Sequence, residues 1–105
     1  MKDYSARNTL EGNLIKIENL YKSIFTEVGN TSIALSDTTV SIYHEDSTNI
    51  DAASLELSKK EYGYTISYWD GYSLAEKIDE KELHQALKIF KRLAKKLAKN
   101  LQRFS

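Results

Sequence analysis

Apolar residues along this chain change their spacing twice, and that double change restricts the possible folds more than any other feature. Residues 9 to 28 set Leu10, Leu14, Ile17, Tyr21, Ile24, Phe25 and Val28 at three- and four-residue intervals, as one buried helix face requires. Asn8 with Glu11 has the form of a capping box, and Gly29-Asn30 that of a stop. Beyond Gly29 the interval becomes two. In "TTVSIYH" Val40, Ile42 and His44 alternate with Thr39, Ser41 and Tyr43, and "ASLELSK" repeats the alternation with Leu55 and Leu57. "EYGYTISYW" sets Tyr62, Tyr64, Ile66 and Tyr68 against Thr65, Ser67 and Trp69. From Leu83 the helical interval returns. Leu83, Ala86, Leu87, Phe90, Leu93, Ala94, Leu97, Leu101 and Phe104 fall in a stripe roughly 120° wide.

Two connections are read from local chemistry. Asp70-Gly71 is a two-residue hairpin signal, because a type I′ turn needs positive φ at both positions; it would set Trp69 and Tyr72 opposite each other on one face. "YSLAEKI" reads either as a strand with Tyr72, Leu74 and Ile78 on one side or as a helix begun at Ser73 with Glu76 as capping partner. Strand is preferred, since Leu74 and Ile78 are out of phase with the apolar stripe that follows. A new cap pair, Asp79 with Glu82, restarts the helix. The order helix, strands, helix predicts an α+β fold: an antiparallel sheet of three or four strands with both helices on one face. At 105 residues the chain reads as one domain, residues 1–105, large enough to bury a core unaided.

Composition closes several routes. There is no cysteine, which removes disulfides, zinc–thiolate sites and thiol nucleophiles, and fits a reducing cytoplasm. No stretch approaches the roughly 20 apolar residues of a bilayer span, and the first residues lack a signal-peptide core. The four glycines are scattered singly, so no phosphate loop exists. His44 precedes Glu45 and Asp46, but a lone histidine beside acids is a strand-end residue more often than a base. "DSTNID" has oxygen ligands without the glycine and downstream glutamate of a calcium loop. The expectation is a non-enzymatic chain with no cofactor and no metal.

The formal net charge of zero averages two unlike regions. Residues 83–105 hold seven of the fifteen basic residues and none of the fifteen acids. Between Lys22 and Lys59 there is no Lys or Arg, whereas Glu27, Asp37, Glu45, Asp46, Asp51 and Glu56 all fall there. The basic face, with Lys88, Lys91, Arg92, Lys95, Lys96 and Lys99, reads first as the solvated back of a core helix. Phosphate binding by a small nucleic-acid-binding protein is the alternative, although no aromatics are interleaved for stacking. Leu101 and Phe104 at the helix end offer an anchor for a larger assembly. The acidic middle carries large aromatics on both sides of its strands, and two helices can cover only one. Asp37, Tyr43, Glu45, Asp46, Asp51, Glu56, Trp69 and Tyr72 therefore form the candidate protein-binding surface.

Size, element order and charge layout, with "IYHEDSTNID" (Ile42 to Asp51) as its acidic loop, give the chain a further feature. It resembles the small bacterial immunity proteins that neutralise toxins such as those of contact-dependent growth inhibition. That resemblance implies a cytoplasmic inhibitor that covers the active site of a cognate toxin and performs no chemistry itself. A cationic nuclease is the toxin that a carboxylate patch would suit, although a net charge of zero departs from the strongly acidic immunity proteins.

Overall fold

A computed structural model describes residues 9–45, 53–71 and 73–103. The Thr9 hydroxyl accepts the Gly12 N–H at 3.1 Å and starts one turn of 3-10 helix, Glu11–Asn13, which leads into α1, Leu14–Ile24. Thr9 is thus the observed cap; Asn8, expected in that role, lies outside the described residues. The side chain of Asn13 is buried and donates to the Thr9 carbonyl at 2.8 Å. α1 ends four residues short of the expected 28. Phe25 N–H closes the last turn on the Tyr21 carbonyl, and the two rings stack at 5.1 Å. Asn30, at φ 60, turns the chain into the sheet.

Five strands follow: β1 (Thr31–Leu35), β2 (Thr39–His44), β3 (Ser54–Lys60), β4 (Gly63–Asp70) and β5 (Ser73–Glu80). They form one antiparallel meander in the order of the sequence, so the sheet has one strand more than the three or four expected. The additional strand is β1, whose "TSIAL" offers only Ile33 and Leu35 to a core, both half-buried at the sheet edge. The segment read as strand or helix is strand from Ser73 onward, and Tyr72 lies outside the described residues.

Cross-strand register defines the two faces. Ile33, Ile42, Leu55 and Tyr68 make one row, and Leu35, Val40, Leu57, Ile66 and Ile78 make the next. Both helices lie on this side. α2, Leu83–Arg103, runs over β3, β4 and β5, and α1 lies beside it near β1. Phe90, Leu93 and Leu97 meet Val40, Ile42, Leu55, Leu57 and Ile66 in a continuous core that also takes in Leu10 and Ile17, all at most 2 % exposed. Each such side chain contributes about 1.5–3 kcal/mol on burial, so this face is fully committed. Leu101 is buried too, which removes it as a protruding anchor; Phe104 lies outside the described residues.

Three local readings are corrected. Asp70 pairs with Ser73 and so belongs to the ladder and not to the turn, and Trp69 stands opposite Leu74, not Tyr72. Gly71 takes φ 74 at the first loop position, where a side chain would be strained. Asp79 is no helix cap: it sits in β5 and its carboxylate accepts the Thr65 hydroxyl at 2.7 Å, while the Glu82 carbonyl accepts the first helical bond from Ala86. Tyr62 is not on the face of Tyr64; β4 begins at Gly63, and Tyr62 projects from the preceding turn, 84 % exposed. Gly63 is required there because a Cβ would strike the Glu80 carbonyl oxygen as the chain leaves β5.

Candidate functional site

Alternation along the strands places a second set of residues on the side that neither helix covers. Successive rows there are Thr39, Ser58, Thr65 and Asp79, then Ala34, Ser41, Glu56, Ser67 and Lys77. Ser32 pairs with Tyr43, and Ser54 joins Trp69, which pairs with Leu74. Half of these side chains are small hydroxyls, and Glu56 and Lys77 flank Ser67 from either side.

The last row differs from the others. Tyr43, Trp69 and Leu74 are among the few large apolar residues left open to solvent, at 42, 37 and 46 %. Leu74 reaches this face through a register shift. Tyr68 pairs with Glu76 but Trp69 with Leu74, so Ala75 is an extra residue that turns Leu74 away from the side of Ile78. Sequence alternation alone sets Leu74 with Ile78, and no glycine or proline in β5 marks the bulge; the residue was therefore missed.

Carboxylates border the row unevenly. Glu45 follows β2 directly, its N–H bonded to the Asn30 carbonyl at 2.6 Å and its carboxylate accepting the Ser32 hydroxyl. Glu56 is half-buried one row away, on β3 between the strands of Tyr43 and Trp69. Asp37 sits in the turn between β1 and β2, beyond Thr39 and therefore more than about 13 Å along the strand from Tyr43 at 3.3 Å per residue. The structure separates Asp37 from the group. Asp46, Asp51 and Tyr72 lie outside the described residues. His44 pairs with Thr31 in the ladder and shares the helix side with Ile42, while the Glu45 carboxylate accepts the Ser32 hydroxyl.

The outer side of α2 presents the other candidate. Lys88, Lys91, Arg92, Lys95, Lys96 and Lys99 are all exposed and line a shallow groove of about 480 Å³. Neighbours such as Lys91 and Lys95, or Lys95 and Lys99, stand at i,i+4, where like charges cost about 0.2–0.5 kcal/mol a pair. One acid relieves part of this. Glu76, on β5, accepts from Lys96 at 3.0 Å and Arg92 at 3.3 Å. Its carboxyl is held below the usual glutamate range, chiefly by the Lys96 hydrogen bond, against an opposing push from desolvation. Lys96 also stands 5.2 Å above the Tyr68 ring. Burial pushes the Tyr68 hydroxyl pKa up, and Asn100 donates both to that hydroxyl at 3.4 Å and to Asp70 at 3.1 Å.

Compared with protein-family models, curated proteins and solved structures, the chain matches none. Its function is therefore argued from the two surfaces. No helix among the described residues is long and apolar enough to cross a membrane.

Proposed function

We propose that this chain is a protein-binding domain that docks the open face of its sheet onto a partner protein, and that the partner is a toxin it inhibits. The observation behind this reading is the exposed row Tyr43, Trp69 and Leu74 on a face whose other side chains are mainly serine and threonine, with Ala34, Glu56, Lys77 and Asp79 among them. Trp and Tyr are the residues that dominate binding energy at interfaces, because each buries a large rigid surface at little entropic cost. Small hydroxyls around them adapt to a partner's hydrogen bonds without long side chains to immobilise. Five strands at about 4.8 Å and a length of about 20 Å project about 500 Å², which with side-chain relief and adjoining loops approaches the ~800 Å² per partner of a standard interface.

The charge around the row suits a basic partner. Glu45 and Glu56 stand beside it, and Asp46, Asp51 and Tyr72 join them in the proposal from sequence alone. Carboxylates so placed steer a cationic surface during encounter and then occupy its phosphate-binding positions. That is the chemistry of the resemblance to immunity proteins: occlusion of a toxin's active site, in the cytoplasm, with no reaction of the inhibitor's own. The test is co-expression with the product of the adjoining reading frame, followed by size exclusion. The expected result is an equimolar complex, a partner toxic when expressed alone, and loss of the complex with Tyr43→Ala plus Trp69→Ala. A complex indifferent to that double substitution would remove the open face from the account.

A further inference from the structure

We propose that the outer side of α2 binds the phosphate backbone of duplex nucleic acid, without reading sequence, through Lys88, Lys91, Lys95 and Lys99. This is independent of the protein-docking reading, since α2 lies on the opposite side of the sheet from Tyr43 and Trp69. The ion pairs divide the six cations into two groups. Arg92 and Lys96 are turned toward the sheet by Glu76. The other four have no carboxylate within 4 Å among the described residues and fall in one line along the helix. Their steps of three, four and four residues advance about 4.5–6 Å each along the axis. Adjacent like charges held on a rigid helix repel one another, and a row of phosphates removes that repulsion while releasing its own counterions.

The remaining chemistry of the surface selects the occupant. An anionic membrane would need an apolar edge to insert. The apolar stripe of α2, with Phe90, Leu93, Leu97 and Leu101, is already in the core, and none of the large exposed apolar residues is on α2. Single-stranded nucleic acid would call for aromatic platforms, which this side of the helix lacks. Base-specific readout of guanine favours a free guanidinium fork, and among the described side chains of α2 the guanidinium, that of Arg92, is tied to Glu76. What is left is a line of ammonium groups suited to backbone contacts, so duplex binding is sequence-independent and strongly salt-dependent.

Glu76 then sets how many cations the duplex meets. The experiment is fluorescence anisotropy with a labelled random-sequence DNA duplex, at salt concentrations from about 50 to 200 mM. Four contacts predict a slope of log K against log salt of about −3.6, and an affinity about 100-fold weaker at the upper limit. Lys88→Ala with Lys95→Ala should flatten the slope to about −1.8, whereas Glu76→Gln should steepen it toward about −5.4 by freeing Arg92 and Lys96. A wild-type slope shallower than about −1 would overturn the proposal, as would a slope unmoved by the double lysine substitution. A slope unmoved by Glu76→Gln, with the variant still folded by circular dichroism, would overturn the division of the six cations. Binding to phosphatidylserine vesicles without duplex binding would reassign the surface to membranes and defeat the nucleic-acid source.

Discussion

The two exposed surfaces of this molecule are built on opposite principles. The open sheet face mixes small hydroxyls with Glu56, Lys77 and Asp79, and its large side chains are gathered in one row. The outer side of α2 is lined by six cations and has no large exposed apolar side chain among the described residues. Burial energy can act only on the first, and counterion release only on the second. The two proposed modes of recognition should therefore respond differently to salt, to truncation and to charge reversal.

Those differences order the expected effects. The largest separates the two sides of α2 itself. Leu97→Ala, at a fully buried position, should cost about 2–5 kcal/mol in denaturant unfolding, whereas Lys95→Ala, two residues earlier on the opposite side of the helix, should stay within about 0.5 kcal/mol. Comparable losses would mean that the basic side is structural. Next, Trp69→Ala should weaken partner binding by about 2 kcal/mol or more, roughly 30-fold, by calorimetric titration, and leave duplex binding unchanged. Charge reversal of Glu45 and Glu56 together should act mainly on the association rate and its salt dependence by stopped flow, with a smaller effect on dissociation. An unchanged rate would remove electrostatic steering while leaving the aromatic row in place.

The smallest effect concerns Glu76. Its folded-state pKa is lowered, so its contribution is fully present above the pKa of an unfolded glutamate, about 4.3, and is lost as pH falls through the folded value. Being partly exposed, it should be worth less than about 1 kcal/mol. Glu76→Gln should therefore lower stability by a small, constant amount above about pH 5, and the difference from the wild type should shrink toward pH 3 in urea titrations.

Some of this was legible in the sequence, for definite reasons. The stripe through Leu83, Phe90 and Leu97 was readable because a long helix repeats its signal over many turns. That Tyr43 and Trp69 lie on the face away from Ile42 and Tyr68 was readable from strict alternation, but which face the helices cover was not, because both faces carry large aromatics. β1 was not readable, since an edge strand buries too little to impose alternation, and Ile33 and Leu35 are too few to show it. The hairpin was misplaced by one residue because Asp70-Gly71 fits a turn locally, while the register of β4 and β5 keeps Asp70 in the ladder opposite Ser73. Leu74 was hidden by the bulge at Ala75, and the pairing of Glu76 with Arg92 and Lys96 by a separation of sixteen and twenty residues. Both are tertiary events with no local trace.

Trp69 is the sole tryptophan in the chain and stands in the middle of the proposed docking row. Its emission is therefore the most direct test that this face receives the partner. Titration with the protein encoded by the adjoining reading frame should move the emission to shorter wavelength as the indole leaves water, and titration with duplex DNA should leave it unmoved. A complex that forms with no change in Trp69 emission would contradict the assignment of the open sheet face as the protein-binding surface.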